Sequence, residues 1–287
     1  MSCSLLKKSR AIWYFANERE RIRIKKDGGF PRPWSVDPVL STYKFCNVFR
    51  RDDRVSRWLI KNWYEPNVGH PNLWFASVIA RQINWPDTLE KIGFPHVWDP
   101  SKVHKIMSEL RESGVKLFTG AYILPTPGKG VLKHDYTVFT ILDGVWKDRA
   151  DLKPRKGETL ESAHTRFKRY PGFGDFLAME VILDWLETPI LATASDRLSF
   201  AAAGPGAIRG LNRVFERDLD TRISFDQCLK EMRQLAEIAN SVESPLGPHI
   251  TRPLDLADIE GLLCETDKYL RIVHDGRSRE VYTPFSY

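Results

Sequence analysis

Residues 170–178 read Tyr-Pro-Gly-Phe-Gly-Asp-Phe-Leu-Ala, and this stretch decides the predicted fold. Residues 158–169 before it contain helix-forming side chains without Pro or Gly, and residues 176–185 after it are almost wholly apolar. The expected local order is therefore a helix, a tight hairpin and a buried helix. Such a hairpin points backbone N–H groups away from a helix start, which suits the binding of a DNA phosphate. An ordinary Pro-Gly turn is the alternative interpretation.

The composition is that of a globular protein. Of the 287 residues, 42% are hydrophobic and 28% are charged. No run approaches the roughly 18 apolar residues of a membrane helix. Residues 1–6 are too short an apolar stretch for a signal peptide, so we expect a cytoplasmic protein with no membrane partner. The four cysteines form no Cys-x-x-Cys pair and no Cys/His ligand spacing, so they indicate neither a zinc site nor a disulfide framework.

The distribution of charge favours a polyanionic partner. The formal net charge is +6, and basic residues concentrate within residues 7–26 and again within residues 50–61. Both clusters are candidates for a track of phosphate contacts. The first is equally consistent with a solvated surface helix.

Helix start and stop signals recur along the whole chain, and no regular strand alternation is present. Asp37 and Pro38, for example, have the residue types of an N-cap and a first helical position. Residues 117–130 are expected to form an irregular loop and residues 148–158 a polar linker. The sequence predicts an all-α protein with a basic N-terminal arm at 1–30 and a helical domain at 31–287, with two possible lobes at about 31–155 and 156–287. The predicted helices are 1–27, 39–64 (one helix, or two broken near Phe45), 73–84, 100–113, 136–146, 208–218, 225–240 and 256–271.

A stripe of basic side chains is expected on the helix around residue 50. Placed at about 100° per residue, four cations fall on one narrow face, and stacked cations need intervening carboxylates such as Asp53 or an anionic ligand. A solvated face with local ion pairs is the alternative. Asp52 falls on the apolar side, so it caps, pairs with a buried cation or is functional. The stripe consists of Arg50, Arg54, Arg57 and Lys61, with Asn47 beside it.

Two carboxylates lie one turn apart on the apolar helix that follows the hairpin. Glu180 and Asp184 are four residues apart, and hydrophobic surroundings disfavour the ionisation of both. At least one pKa is therefore expected to rise toward the range useful for a general base. The alternative is that either carboxylate pairs with an arginine and braces the fold.

Residues 203–210, Ala-Gly-Pro-Gly-Ala-Ile-Arg-Gly, lead into another predicted helix. Glycines let a backbone approach an anion, a helix start favours negative charge, and Arg209 offers a planar fork for phosphate oxygens. A phosphate or pyrophosphate site is predicted here, with a glycine-rich helix entry as the alternative. Neither this stretch nor residues 125–130 matches the P-loop spacing, so no ATP-dependent kinase is expected in this chain.

The last predicted helix combines acidic, basic and aromatic side chains in residues 263–271. Glu265 and Lys268 are also spaced as an ordinary intrahelical ion pair. The seven histidines are scattered and none is paired at the spacing of a metal site, so no metal-binding residue is predicted.

Taken together, these segments resemble one family, the phage DNA thymine-hypermodification proteins. The family was first described as α-glutamyl/putrescinyl thymine pyrophosphorylases, and it includes amino acid:DNA transferases and the helical domain of 5-hydroxymethyluracil DNA kinases. The resemblance covers roughly residues 30–271, with a weaker middle at 85–155. It rests on Pro33-Trp34, Asp37-Pro38, Tyr43-Lys44-Phe45, Asn47-Val48-Phe49-Arg50, Asp53-Arg54-Val55-Ser56, the Gly172-Phe173-Gly174 hairpin with Asp184, Gly204-Pro205-Gly206-Ala207 with Arg209-Gly210, and Leu263-Cys264-Glu265 with Lys268-Tyr269-Leu270-Arg271.

The resemblance implies a helix-hairpin-helix fold like that of DNA glycosylases and a transferase acting on double-stranded DNA. An amine such as glycine displaces pyrophosphate from a pyrophosphorylated 5-hydroxymethyluracil base. Magnesium, which commonly accompanies pyrophosphate, is an alternative to arginines in neutralising its charge. The implied catalytic residues are Asp184, Asp53, Glu265 and Asn47. The implied pyrophosphate-binding residues are Arg50, Arg54, Arg209, Lys268, Arg271, Gly204 and Gly206. The implied DNA-binding residues are Gly172, Phe173, Gly174, Arg57 and Lys61.

Two alternatives accompany this interpretation. The chain is a non-catalytic DNA-binding partner of a 5-hydroxymethyluracil DNA kinase, or it is a glycosylase acting on a modified base. Phe176 stands where bifunctional glycosylases carry a nucleophilic lysine, which excludes a Schiff-base lyase at that position. Asp196 lies roughly where a glycosylase's catalytic aspartate would fall, but the sequence around it does not match.

Overall fold

The computed structural model describes residues 3–120, 124, 128 and 130–276, and within these ranges it is helical without a β-strand. The predicted all-α class is confirmed. Part of the loop predicted at 117–130 lies outside the described residues. The helices are α1 (Cys3–Lys8), α2 (Arg10–Asp27), α3 (Pro38–Thr42), α4 (Arg54–Leu59), α5 (Leu73–Ile83), α6 (Pro86–Ile92), α7 (Pro100–Glu112), α8 (Lys133–Asp135), α9 (Asp143–Lys147), α10 (Arg149–Leu152), α11 (Leu160–Lys168), α12 (Gly174–Leu186), α13 (Pro205–Val214), α14 (Phe225–Ala239) and α15 (Leu256–Asp275).

The chain divides into two compact units. The first comprises Met1–Asp53 and Arg197–Tyr287, and the second comprises Arg54–Asp196. These boundaries differ from the arm at 1–30 and the lobes at 31–155 and 156–287. The helices of the expected arm, α1 and α2, belong to the same unit as α15, against which α2 packs. We find no helix in the described ranges that combines the length and the apolar character needed to cross a membrane.

In the first unit, α15 packs against α2, α3, α13 and α14. Its N-terminus carries a capping box, in which the Asp255 side chain accepts the Asp258 backbone N–H and the Asp258 side chain accepts that of Asp255. Buried side chains from α2, including Trp13 and Phe15, contribute to this core. Burying each large apolar side chain stabilises the fold by about 1.5–3 kcal/mol.

In the second unit, α5 is buried along its whole length of 11 residues. Because all of its residues are buried, α5 lies within the core of this unit, where α12 packs against it. The Trp185 indole of α12 donates to the Trp74 carbonyl of α5 at 3.3 Å. The predicted helix at 73–84 is confirmed, and it ends at Asn84 in a left-handed conformation.

The segment predicted as one helix at 39–64, or as two broken near Phe45, is interrupted over residues 43–49. Asp37 caps α3 with Pro38 at its first position, as expected, but α3 ends at Thr42. A 3₁₀ turn follows at Arg50–Asp52, then α4, and then a π-helical turn at Ile60–Tyr64. Asn47 therefore lies outside any helix, so the helical spacing that placed it beside the basic stripe is wrong.

Candidate functional site

Four of the predicted site residues, Asn47, Asp53, Glu265 and Lys268, lie within or beside the extended segment 43–49 in the first unit. We call Cys46, Asn47, Asp53, Glu265 and Lys268 the carboxylate cluster. Asp53 Oδ1 accepts the Asn47 backbone N–H at 2.8 Å, and Glu265 Oε2 accepts the Cys46 backbone N–H at 3.0 Å. Lys268 Nζ donates to the Lys44 carbonyl at 2.7 Å and lies 3.9 Å from Glu265 Oε2. The cluster thus brings two carboxylates and an ammonium group to one short stretch of backbone.

The backbone of this segment is held from a second direction by Arg19 of α2. Its guanidinium donates to the carbonyls of Phe45 at 3.1 Å and Cys46 at 3.0 Å. Two buried side-chain atoms here, Arg19 Nη1 and Asn47 Oδ1, have no hydrogen-bond partner among the described residues. A buried polar atom without a partner is rare, and a bound ligand is one way to supply it. The Arg19 Nη1 donor and the Asn47 Oδ1 acceptor suit a ligand that carries both an acceptor and a donor group.

The electrostatics of the carboxylate cluster suit proton transfer near neutral pH. Burial raises the pKa of Asp53 to about 6, although the Asn47 N–H and the nearby charges of Arg50 and Arg19 act in the opposite direction. Because this pKa lies just below neutral pH, the Asp53 carboxyl group is mostly ionised at pH 7 and can accept a proton there. The negative charge of Glu265 raises the pKa of the Cys46 thiol, which disfavours a thiolate nucleophile there.

Three arginines converge on one buried carboxylate in the same unit. Asp267 of α15 has no exposed surface, and it accepts the Nε–H groups of Arg209 at 2.9 Å, Arg213 at 2.9 Å and Arg271 at 3.1 Å. Asp267 compensates only one of these three positive charges. Their side chains are 32%, 21% and 45% exposed. This arginine triad is therefore a partly open cationic surface, braced from within by Asp267.

Gly204, at the N-cap of α13, and Gly206 and Gly210 within this helix have packing functions in the structure. The Gly204 N–H donates to Glu260 Oε1 at 3.0 Å. A Cβ atom at Gly206 would overlap Cys264 Sγ, and one at Gly210 would lie 2.5 Å from the Leu263 carbonyl oxygen. The glycines thus let α13 approach α15 closely, which places Arg209 and Arg213 beside Asp267. Direct contact of Gly204 and Gly206 with pyrophosphate stays a prediction.

Asp184 lies in the second unit, buried on α12. Tyr64 Oη and Arg81 Nε both donate to Asp184 Oδ2 at 2.7 Å, and Arg81 Nη2 donates to Asp184 Oδ1. Arg81 also lies 3.8 Å from Glu180 Oε2. Burial raises the pKa of Asp184, opposed by Arg81 and Tyr64. Both carboxylate oxygens are occupied, an arrangement that favours the bracing alternative for this pair over general-base catalysis.

The predicted basic stripe is divided between the two units. Arg50 lies in the 3₁₀ turn of the first unit, and its charge acts on Asp53. Arg54, Arg57 and Lys61 lie in the second unit, where all three are exposed on α4 and the π-helical turn after it. The Arg54 guanidinium lies 5.8 Å from the centre of the Trp85 ring. The three residues of the second unit form one exposed basic face.

The hairpin at residues 170–174 joins α11 to α12 in the second unit, so the predicted local order of helix, hairpin and helix is present. Gly172 has a φ of 88°, and a Cβ atom there would lie 2.8 Å from Ile141 Cδ1. Its carbonyl accepts Gln82 Nε2 at 3.1 Å. Phe173 is buried against Phe167. Phe173 therefore anchors the hairpin to the core, and DNA contact by this hairpin stays a prediction.

Some functional candidates were missed by sequence reasoning. Arg213 completes the arginine triad, Asp267 accepts its hydrogen bonds, and Arg19 holds the backbone of the carboxylate cluster. The spacing of Asp267 and Arg271 by four residues was an available signal for an ion pair. Asp196, considered as a glycosylase-like aspartate, accepts the backbone N–H groups of Leu160 and Glu161 at the start of α11.

Comparison with known proteins gives one family. The family model described as "5-hmdU DNA kinase, helical domain" matches residues 7–279. The protein "5-hmdU DNA kinase" of Bacillus phage SP10 is 29% identical over an alignment of 292 residues, which covers 90% of this chain and 45% of that protein. The chain thus spans less than half the length of this curated relative. No solved structure matches the chain.

Proposed function

The chain belongs to the family of the 5-hmdU DNA kinase helical domain, and on that premise we propose that it takes part in the modification of thymine in phage DNA. Its proposed activity is transfer of an amine, such as glycine, to a pyrophosphorylated 5-hydroxymethyluracil base. The amine nitrogen forms a bond to the methylene carbon, the carbon–oxygen bond breaks, and pyrophosphate leaves. The ammonium proton passes to a carboxylate of the protein before the attack.

The observation that carries this proposal is that one unit holds both groups the reaction requires. The leaving pyrophosphate needs cations, and the arginine triad presents three guanidinium groups around Asp267. The incoming ammonium needs a proton acceptor, and Asp53 has a pKa of about 6. Neither the cationic groups nor the proton acceptor alone would identify an amine transferase. Their combination in a member of a DNA-modification family supports group transfer with a phosphorylated leaving group.

We assign roles within the carboxylate cluster from its contacts. Asp53 is the proposed proton acceptor. Glu265 and the unpartnered Asn47 Oδ1 bind the ammonium group through charge and hydrogen bonding. Lys268, Arg50 and the arginine triad bind pyrophosphate, with Gly204 and Gly206 at the adjacent helix start. Asp184 is assigned to bracing of the second unit through Arg81.

The second unit is proposed to contact DNA. The hairpin at residues 172–174 lies at the start of α12, where the helix dipole favours a phosphate, and Arg54, Arg57 and Lys61 add an exposed basic face. We propose that the architecture is related to the helix-hairpin-helix fold of DNA glycosylases. Extrusion of the target base accompanies such a fold, although a thymine 5-substituent also lies in the major groove.

A second candidate is a non-catalytic DNA-binding partner of a 5-hmdU DNA kinase. It is favoured by the comparison, in which the chain matches 45% of a protein named as that kinase. Under this candidate the carboxylate cluster and the arginine triad support DNA binding alone. A glycosylase is disfavoured by Phe176 at the lysine position of the lyases.

The deciding experiment incubates purified protein with pyrophosphorylated 5-hydroxymethyluracil DNA and a panel of amines, followed by mass spectrometry of the nucleosides. A new amine adduct, formed with release of pyrophosphate and lost in Asp53→Asn, supports the transferase. Unchanged nucleosides with every amine, together with tight DNA binding, support the partner. Arg233→Gln is the matched control, because Arg233 is an exposed arginine of the first unit that donates to the Ser199 carbonyl.

A further inference from the structure

The second unit contains a group of side chains that the proposed chemistry does not use. His104 of α7 and His134 and Asp135 of α8 each offer one ligand atom, and these atoms all lie within 4.8 Å of one another. Among the described residues, no other set of three or more His, Cys, Asp or Glu side chains converges in this way. We propose that the three residues bind a zinc-type transition-metal dication.

The distances within the group match the spacing of metal ligands. Asp135 Oδ1 lies 2.8 Å from His104 Nε2 and 3.2 Å from His134 Nε2. Zinc binds imidazole nitrogen and carboxylate oxygen at about 2.0–2.2 Å in a tetrahedral arrangement, which puts neighbouring ligand atoms roughly 3.3 Å apart. A small movement of the Asp135 side chain therefore opens the centre of the group to an ion.

Both imidazoles place Nε2 close to the same carboxylate oxygen, Asp135 Oδ1. The two imidazoles are stacked, with centres 5.3 Å apart and planes inclined by 17°. His134 is buried, whereas His104 and Asp135 are partly exposed. The centre of the Phe139 ring lies 4.9 Å from that of His104, and Ser108 Oγ lies 3.2 Å from His134 Nε2. The site thus has a fixed inner ligand, two outer ligands and a path from solvent.

The donor set selects the class of metal. Two imidazoles and one carboxylate suit zinc, nickel, cobalt or copper, whereas magnesium and calcium prefer all-oxygen sites. Three protein ligands leave a fourth tetrahedral position for water. Because His104 and His134 are far apart in sequence, a shared ion would tie α7 to α8 and stabilise the second unit.

The experiment uses the full chain after treatment with a chelator and dialysis. Zinc chloride is added, bound zinc is counted by mass spectrometry after desalting, and thermal unfolding is followed by circular dichroism. We expect one equivalent of zinc and a raised midpoint of unfolding. Cobalt chloride is expected to give the visible absorption bands of tetrahedral cobalt.

The variants distinguish a metal site from a simple His–Asp ion pair. His104→Ala and Asp135→Asn change partly exposed side chains, and each is expected to lose the bound zinc and its stabilisation. His96→Ala is the matched control, because the His96 ring lies 5.0 Å from His70 in a second close histidine pair outside this group. Wild-type protein that binds no zinc, or equal zinc content in His104→Ala and wild type, would overturn the proposal.

Discussion

Arg81 binds both carboxylate oxygens of Asp184 inside the second unit, and Tyr64 donates a further hydrogen bond to Asp184 Oδ2 at 2.7 Å. Arg81 also reaches Ser56 and Asn84, so one guanidinium links α4, α5 and α12. The relationship supports the bracing interpretation of Asp184 over the catalytic one. Loss of the Arg81–Asp184 pair is therefore expected to lower stability but not the activity of the folded protein.

Removal of the brace is expected to destabilise the protein. Asp184→Ala breaks the buried ion pair with Arg81, which costs about 3–5 kcal/mol of unfolding free energy. Urea denaturation followed by circular dichroism measures this loss. In the same variant, adduct formation per folded molecule is expected to stay near the wild-type value. A catalytic Asp184 would give the reverse pattern, with turnover lost even in the milder Asp184→Asn variant at temperatures where it is folded.

The pH dependence of transfer is expected to follow Asp53. Its raised pKa of about 6 means that the carboxylate is protonated below that pH and cannot accept the ammonium proton. Adduct formation should therefore rise as pH increases through about 6, and Asp53→Asn should lower the rate by about 100- to 10,000-fold. The test is to measure the rate of adduct formation with a fixed amine between pH 5 and pH 8, a window of about three units around this pKa. If the rate of the Asp53→Asn variant still falls at low pH as in the wild type, another group is responsible for that pH dependence.

The same titration affects stability with the opposite sign. A carboxyl group with a raised pKa binds its proton more tightly in the folded state, so its contribution to stability is greatest at low pH and is lost as pH rises toward about 6. Asp53→Asn removes this pH dependence. Urea unfolding of the variant and the wild type is compared at pH 4.5 and pH 7, which lie about a unit or more on either side of the raised pKa. The comparison separates the contribution of Asp53 from that of the other carboxylates.

The arginine triad is expected to bind pyrophosphate. Arg209→Gln and Arg271→Gln each remove one charge-assisted contact, worth about 1.5–3 kcal/mol, so affinity should fall by roughly 10- to 100-fold per variant. Isothermal titration calorimetry with pyrophosphate measures the affinity, and Arg233→Gln should leave it unchanged. Equal losses in all three variants would indicate a general charge effect.

The close packing of α13 on α15 is expected to control the triad. Gly210→Ala places a Cβ atom against the Leu263 carbonyl, and overpacking of this kind costs about 1–3 kcal/mol. Pyrophosphate affinity should fall with it, because Arg209 and Arg213 move away from Asp267. Gly261→Ala on α15 is the matched control, since no atom lies within 4 Å of its added Cβ. There the better helix propensity of alanine should stabilise the protein by up to about 1 kcal/mol.

The exposed basic face of the second unit is expected to make phosphate contacts. Each contact removed should reduce the slope of log affinity against log salt concentration by about 0.9. Arg57→Gln and Lys61→Gln are therefore expected to weaken DNA binding at low salt and to flatten this slope, as measured by fluorescence anisotropy across a salt series. Lys105→Gln is the control, because its side chain is 78% exposed on α7 of the same unit. A slope unchanged by all three substitutions would show that the face is only solvated.

Local signals in the sequence predicted most helices because they act over a few residues. The Asp37 cap with Pro38, and the apolar run that becomes α5, need no distant partner to be recognised. The interruption at 43–49 was anticipated only in part, as a break near Phe45. The bonds that stabilise it come from Arg19, Glu265 and Lys268, which lie far away in sequence.

The sequence by itself determined the all-helical class, the bounds of helices such as α5, α7 and α14, and the residue types available for chemistry, because periodicity, caps and charge are local properties. Only the tertiary structure decided the partners. It paired Asp184 with Arg81, gathered three arginines on Asp267, and brought His104 beside His134. Except for Arg271 and Asp267, which lie one turn apart on α15, these pairings join different helices. There long-range burial rather than local spacing selects which charged groups must meet.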